Sequence, residues 1–539
     1  MTVERDAVGG SRAELQVLII GAGPTGLVLA LWLTRLGVTV RIIDKTAESG
    51  TTSRALAVQA RTLEFYRQVE IADAVIAGGV KVTTLNFWAN GSRAARVPFR
   101  RIGEGLSPYP FPLVFPQDAH ERLLIEELDA LGVRVERRTE LVHFSEHERC
   151  VRAALKLPDG SEETCKAAYL AGCDGASSTV RERLAIGFPG GTYAGLFYVA
   201  DVEAAGPAID EQLHVDIEDA DFVLVFPLKR EGRVRLVGSV REPPEPDHRE
   251  LSFDDVKGKA IEHLKLSIAQ VNWFSTYHVH HRVAARFREG RTFLLGDAAH
   301  VHSPVGGQGM NTGIGDAVNL AWKLATVLNQ GAGGSLLDTY EPERIAFARR
   351  LVATTDRVFT VVTKRGPFAR LLRTRLVPLL APWLLRLPLL RRFLFRTISQ
   401  IGVNYRHSSL SEGVAGAVRG GDRLPWVEAA HGHDNFAPLV SMSWQVHVYG
   451  EAPGGVEEAC AGLRLPIHTF AWTDAMARAG LARGALYLVR PDGYVALADP
   501  DGDPERLGRY FMSRGLAATS RRDKTTRSDS PGFSEWSSS

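Results

Sequence analysis

Three short segments carry residue types that a nucleotide or a planar cofactor needs. The first is Gly21-Ala22-Gly23-Pro24-Thr25-Gly26, a GxGxxG pattern. Gly21 permits a tight turn, Gly23 lets a pyrophosphate approach the backbone, and Gly26 lets a helix pack closely on a strand. Asp44 stands 18 residues after Gly26, with Lys45 beside it. A carboxylate at that distance accepts hydrogen bonds from a ribose hydroxyl. The pattern alone does not separate FAD from NAD.

The second segment runs from Cys173 through Asp174, Gly175, Ser177 and Ser178 to Arg181. Either serine can cap a helix. Asp174 either holds Arg181 or faces a nucleotide. The third is Gly296-Asp297-Ala298-Ala299-His300, followed by His302, Pro304 and Gly306-Gly307-Gln308-Gly309-Met310-Asn311. Asp297 follows a buried strand, where an unpaired carboxylate is costly, so a cofactor hydroxyl is its expected partner. The glycines let backbone N–H groups approach a planar ring. The helix expected from Gly315 to Leu328 aims its positive end at that ring, which favours a negative charge there by about 0.3–1 kcal/mol when exposed.

These segments need elements to position them. Gln16 to Ile20 reads as a buried parallel strand, Pro24 to Leu36 as a helix and Val38 to Ile43 as a second buried strand. Together they make a βαβ unit. His120 to Leu131 reads as a helix and Gly132 to Glu136 as a strand. Val151 to Leu157 and Thr164 to Ala171 read as paired strands around Pro158-Asp159-Gly160. Asp221 to Leu228 and Arg233 to Val240 alternate, as an antiparallel sheet with one open face does. Thr292 to Gly296 returns to a buried strand. Nucleotide-binding elements therefore lie on both sides of an inserted sheet.

The chain has 539 residues, 45% hydrophobic, with 64 Lys plus Arg against 62 Asp plus Glu. A net charge of +2 gives no electrostatic case for nucleic acid. Four cysteines without a CxxC pair argue against a disulfide framework and for a reducing, cytoplasmic setting. No metal-ligand constellation is visible, His300 and His302 included. Leu376 to Leu385 is apolar but short of a membrane span and broken by prolines. It reads as part of a helix pair packed on the body of the protein, with a basic face on a membrane surface as the alternative. No transmembrane segment is expected.

At the three motifs the chain resembles the single-component FAD-dependent aromatic hydroxylases of the para-hydroxybenzoate hydroxylase fold. Their markers are a GxGxxG, a DG and a GD motif in this order, and the likeness covers about residues 15 to 405. Ser53-Arg54-Ala55, Arg61-Thr62-Leu63-Glu64 and Gln117 match as well. Leu488-Val489-Arg490-Pro491-Asp492-Gly493-Tyr494 resembles the hairpin of a thioredoxin-like domain found in the phenol and polyketide hydroxylase subgroup.

The implied fold class is α/β: a Rossmann-like FAD-binding domain, an inserted antiparallel-sheet substrate domain and a C-terminal thioredoxin-like α/β domain. The implied division is FAD-binding over 1–189, with a substrate-domain excursion near 80–115, and substrate domain over 190–282. FAD-binding resumes over 283–357, then come a helical linker region over 358–420, a thioredoxin-like domain over 421–515 and a disordered tail over 516–539. Cys460 stands alone there, so dithiol chemistry is not expected.

The resemblance implies FAD as cofactor, NAD(P)H as co-substrate with NADPH favoured, and O2. The reaction is hydroxylation of a phenolic or polyketide-type aromatic through a flavin C4a-hydroperoxide. By analogy, Gly21, Gly23, Thr25 and Gly26 hold the pyrophosphate, Asp44 and Lys45 the adenosine end, and Arg54 the pyrophosphate or flavin edge. Gln117 and Asp297 meet the ribityl region, Gly309, Met310 and Asn311 the isoalloxazine, and Asp174 and Arg181 support FAD and the nicotinamide. Pro304 lies at the flavin face and His302 assists substrate deprotonation. Phe222, Leu224 and Phe226 share a strand face that lines the substrate or, in the favoured reading, forms sheet core, and Pro227 abuts the substrate. A Baeyer–Villiger oxidation of a polyketide ketone and the inactivation of an aromatic antibiotic remain alternatives. A homodimer is left open.

Overall fold

The computed structural model describes residues 15–50, 55–89, 91–99, 102–216, 222–240, 251–303, 306–363, 387–428 and 433–516, with positions 375, 376, 379, 380 and 383. Arg54, Pro304 and residues 517–539 of the tail expected over 516–539 lie outside the described residues.

The opening βαβ unit is β1 (Val17–Ile20), α1 (Pro24–Arg35) and β2 (Val40–Asp44). β1 is buried along its whole length, as a strand covered on both faces must be. It pairs in parallel with β2 on one side and with Tyr169–Gly172 on the other. The full sheet runs Arg288–Glu289, Thr292–Leu294, Tyr169–Gly172, β1, β2 and Val135–Arg137. Helices α2 (Ala60–Gln68), α3 (Gln117–Ala130) and α4 (Thr179–Arg183) complete this domain's first part.

One sequence expectation is corrected here: Thr164 to Ala171 is not a single strand. Glu162–Ala167 pairs antiparallel with Val151–Lys156, whereas Tyr169–Gly172 crosses to the parallel sheet. The reason is burial. Glu162–Ala167 keeps exposed charges, while Tyr169–Gly172 is buried throughout and needs cover on both sides.

The inserted sheet has eight strands, among them β3 (Gly190–Ala205), β4 (Val223–Pro227), β5 (Arg233–Ser239) and β6 (Ser267–Val283). Thr84–Ala89 and Ser92–Pro98 form its far edge. Pairing within β6-β3-β5-β4 is antiparallel. Val223 and Val225 pack with Tyr198, Ala200, Val202 and Leu236 in the sheet's own core. Phe222, Leu224 and Phe226 point to the opposite, half-buried face. On that face Phe222 packs against Phe197 and Val279, and Phe226 against Leu56, Val82 and Val114, while alternation gives the larger cluster to the valines. Pro227 falls on the valine side and is buried, so it faces away from Leu224 and Phe226.

Helix α5 (Gly309–Gln330) starts six residues before the expected Gly315. Met310 and Asn311 are therefore part of its first turn rather than of a preceding loop. Helix α6 (Tyr340–Thr363) packs beside α5, and α7 (Pro388–Ile398) follows at a distance.

The C-terminal unit contains β7 (Gln445–Tyr449), α8 (Val456–Leu463), β8 (Ile467–Phe470), α9 (Asp474–Arg478), β9 (Leu486–Val489), β10 (Val495–Asp499) and α10 (Pro504–Ser513). Its sheet runs Val418–Arg419, Glu412–Ala415, β10, β9, β7, β8. β7 and β8 are parallel, while β9 pairs antiparallel with both β7 and β10. The turn between β9 and β10 is driven into the domain that carries the opening βαβ unit. Arg490 donates twice to Glu343 of α6 (2.8 and 3.1 Å), and Trp322 of α5 donates to Asp492 (3.1 Å). Arg61 and Gln68 of α2 donate to the carbonyls of Asp492 and Pro491.

Candidate functional site

The first glycine turn is held by close backbone contact. Gly21 has φ +101°, and a Cβ there would lie 2.3 Å from the Cys173 carbonyl oxygen. A Cβ on Gly26 would lie 2.0 Å from the Gly21 carbonyl oxygen. Around Gly23 the space is open to 4 Å, so a ligand can reach the backbone. α1 begins at Pro24 with no side chain capping it, which leaves its first N–H groups without intrahelical acceptors. Asp44 braces the turn: Oδ2 accepts from the Ala22 N–H (2.7 Å) and Oδ1 from the Thr46 N–H (2.8 Å) and hydroxyl (2.6 Å). Lys45 beside it is exposed.

The GD segment meets this turn directly. A Cβ on Gly296 would lie 2.6 Å from Thr25 Oγ1, and one on Gly313 would lie 2.3 Å from the same atom. Thr25 thus fills space left by two glycines almost three hundred residues away. Behind this contact, the buried Asp316 accepts from the Gly296 N–H (3.0 Å), His300 Nε2 (2.8 Å) and Arg344 Nε (2.6 Å). Burial alone would raise the Asp316 carboxyl, but Arg344 and His300 outweigh it and hold it below the usual range.

Asp297 is exposed, which corrects the expectation of a buried carboxylate. The 3-10 turn Gly296–Ala298 carries the chain out of the sheet and turns that side chain outward. Asn311 has a bracing role: it accepts from the Gln59 N–H and the Thr62 hydroxyl, and donates to the Ala57 and Gly307 carbonyls. Residues 55–59 are thereby tied to the glycine-rich loop. Gln117 opens α3, donates to Glu121 (2.8 Å) and is bound through its N–H to the Ala55 carbonyl. Met310 stands in the first turn of α5, where backbone N–H groups lack helical acceptors.

Asp174 does not hold Arg181. It accepts from the Ser178 hydroxyl (2.6 Å) and the Val180 N–H (3.1 Å), so it organises the start of α4. Burial pushes its carboxyl up. Arg181 instead donates to the Ala298 carbonyl (2.9 Å) and the Ala176 carbonyl (2.8 Å). The DG turn is therefore bolted onto the GD turn through backbone.

The open face of the inserted sheet looks onto the same region. Phe226 is opposite Arg235, and Arg235 is opposite Asp201, across three strands. Arg235 makes a bidentate pair with Asp201 (2.6 and 2.7 Å) and reaches the Ala55 carbonyl at 3.5 Å. Segment 55–59 is thus flanked by this face and by the loop at Gly306 and Gly307, where Gln59 donates to the Gly306 carbonyl. Sequence reasoning missed Arg235 and Asp201; a charged residue on the half-buried face of an apolar strand was the available signal.

His302 donates from Nδ1 to the Ser303 carbonyl (2.8 Å), while its buried Nε2 has no partner. Nε2 lies 3.8 Å from where a Gly309 Cβ would be, at the N-terminus of α5. Burial, then the neighbouring His300, lowers its pKa to about 4. The ring is neutral at physiological pH, with a free lone pair on Nε2. Between pH 6.5 and 4 the unfolded chain therefore binds a proton that the folded chain refuses. This stabilisation is complete above pH 6.5 and is lost as pH falls to about 4, by an expected ~3 kcal/mol. Urea midpoints measured across that range should fall less steeply in His302→Gln; identical slopes would refute the buried, neutral assignment.

Among the described residues, no group of three or more His, Cys, Asp or Glu is placed to hold a metal ion. None of the described helices is long and apolar enough to cross a membrane.

A family model described as "FAD binding domain" matches residues 14–355. The chain belongs to this family of FAD-dependent aromatic monooxygenases. It is 34% identical to 6-methylpretetramide 4-monooxygenase of Streptomyces rimosus, over 89% of this chain and 90% of that one. It is also 34% identical to pentachlorophenol 4-monooxygenase of Sphingobium chlorophenolicum, over 66% of each. The anhydrotetracycline hydroxylase OxyS of Streptomyces rimosus superposes with a TM-score of 0.74 at 27% identity, covering 93% of this chain and 99% of that one.

The residues of this monooxygenase fit FAD. The backbone is open at Gly23, α1 starts uncapped, and Thr25 packs directly on Gly296 and Gly313. The polar network behind it was also missed from sequence. Asp316, Asn319 and Lys323 recur on one face of α5, and all are buried. Three polar residues at helical spacing within an apolar helix were the readable sign that buried partners await them.

Proposed function

We propose that this monooxygenase consumes NADPH and O2 to hydroxylate an electron-rich phenolic or polyketide-type aromatic. One oxygen atom enters the ring and the other leaves as water. When bound, FAD supplies the oxygen activation. The observation that carries the reading is Thr25 lodged between Gly296 and Gly313, which supports one site shared by the first glycine turn and the GD segment. The relatives that act on a pretetramide and on pentachlorophenol support the substrate class.

In this reading, Gly21, Gly23, Thr25 and Gly26 present backbone to the pyrophosphate, and Asp44 and Lys45 take the adenosine end. Asp297 and Gln117 take the ribityl hydroxyls. Gly309, Met310 and Asn311 present the first turn of α5 to the ring, where its dipole favours negative charge. Leu224 and Phe226 close the site from above and exclude water. His302 accepts a hydrogen bond from the substrate hydroxyl through Nε2. A group with a pKa of about 4 does not retain the proton, so His302 polarises the hydroxyl rather than deprotonating it outright.

We read the C-terminal unit as thioredoxin-like; its β-α-β-α-β-β-α order supports this. Its Cys460 is buried and its thiol is pushed up to about 11, so it serves no dithiol chemistry.

The test is direct. The purified protein is expected to be yellow, and a panel of phenols and polyketide quinones should include one that accelerates NADPH oxidation and gains one oxygen by mass. NADPH oxidation that no aromatic accelerates would contradict the proposal. Asp297→Ala should retain less FAD through gel filtration than the parent; equal retention would remove its assigned role.

A further inference from the structure

Between Asp356 and Glu412 the chain carries eleven Lys or Arg and no Asp or Glu. The whole protein holds 64 basic and 62 acidic residues, so this stretch concentrates an excess that the remainder does not share. Within it, α7 is turned the unusual way round. Phe395 anchors the helix against Ala60, Ile102, Leu106 and Ile401. The opposite side presents Leu389 (84% exposed) and Phe393 (67%), one turn apart, with Leu390 beside them. Arg392 and Arg396, also one turn apart and exposed, border that apolar stripe. Leu379 (72%) and Trp383 (61%) add to the same stretch of exposed apolar chain. Most of the large exposed apolar side chains among the described residues fall between 379 and 393. Most of Leu376 to Leu385, expected to belong to a helix pair packed on the body, lies outside the described residues.

Among the described residues no ion pair involves Arg391, Arg392 or Arg396. An apolar stripe with Trp, Leu and Phe, edged by unpaired guanidinium groups, matches the interface of an anionic bilayer, where apolar chains enter the acyl boundary and cations meet the headgroups. A second copy of the chain is a poor occupant. A two-fold contact would bring this all-cationic face against itself. Protruding apolar chains, rather than a groove, favour a fluid lipid surface over a folded acidic protein.

We propose that α7 and the exposed apolar residues before it dock this monooxygenase peripherally on an anionic lipid surface, without spanning it. The experiment is sedimentation of the full-length, FAD-loaded protein with vesicles. One set is phosphatidylcholine alone; the other is equal parts phosphatidylcholine and phosphatidylglycerol. Binding to the mixed vesicles should be at least ~10-fold stronger and should weaken at high salt. The surface variant Leu389→Ser/Phe393→Ser should lose it while keeping its flavin absorbance, and Arg392→Glu/Arg396→Glu should lose the preference for anionic lipid. Protein that stays in the supernatant with both vesicles overturns the proposal. So does vesicle binding unchanged in both variants, or a dimer that the apolar variant dissolves with no vesicle binding in the parent.

Discussion

Gly26→Ala is expected to yield a folded but nearly colourless protein. Its added methyl would sit 2.0 Å from the Gly21 carbonyl oxygen. That atom belongs to backbone fixed by β1 and by the Ala22 N–H bond to Asp44, so it cannot swing aside as a side chain would. Either α1 withdraws or the turn opens. Both displace the helix N-terminus from the phosphate position and loosen Thr25 from Gly296 and Gly313. Overpacking of this kind costs about 1–3 kcal/mol. FAD affinity should fall by roughly 5- to 150-fold, the same energy expressed as a ratio. Flavin content per chain after gel filtration measures it. Gly23→Ala is the control, because nothing lies within 4 Å of that added methyl in the protein itself. It should fold as well as the parent and lose FAD only by crowding the ligand.

The second large effect is expected far from the cofactor. Glu343 of α6 accepts from Lys323, Asn319, Arg490 and Ser408, all at 3.1 Å or less. It joins α5 to the tip of the β9–β10 turn. Burial would raise its carboxyl, yet Arg490 and Lys323 reverse that and hold it well below the usual range. Lys323 is lowered by burial to about 8, so it stays mostly charged at neutral pH. Glu343→Gln removes the shared anion, which strands the buried Lys323 and leaves Arg490 with Asp492 alone. Breaking a buried pair from one side costs about 3–5 kcal/mol, and urea denaturation at pH 7 should show a loss of that order. Because the folded pKa lies below the unfolded one, the parent keeps this stabilisation above about pH 4.5 and loses it as pH falls further. The variant should lack that acid-dependent component. A midpoint unchanged at pH 7 would show that the turn does not clamp the two domains.

The sequence made the glycine turns legible because steric demands at Gly21, Gly26 and Gly296 are local. Each needs a missing Cβ, and spacing records that. Asp44 was legible for the same reason, since it ends a strand beside the turn. The strand break after Ala167 was harder. Apolar runs report burial but not which sheet provides it. Phe222, Leu224 and Phe226 illustrate the same limit: alternation showed that they share a face, but not that Val223 and Val225 take the larger cluster. The Asp316 and Glu343 networks were out of reach, because their partners come from α6 and from the β9–β10 turn. The motif Arg490-Pro491-Asp492-Gly493 could be recognised as a hairpin; only packing reveals that it is a plug in the FAD-binding domain.

The central claim is that turns near positions 21 and 309 grip opposite ends of one FAD. Titration of the apoprotein with FAD and, separately, with FMN tests it most directly, because FMN keeps the ring and lacks the adenosine half. FAD should bind one per chain and at least ~100-fold more tightly than FMN, about 2.7 kcal/mol. Equal affinity for the two would mean that the Gly21 turn contributes nothing, and the account would fail.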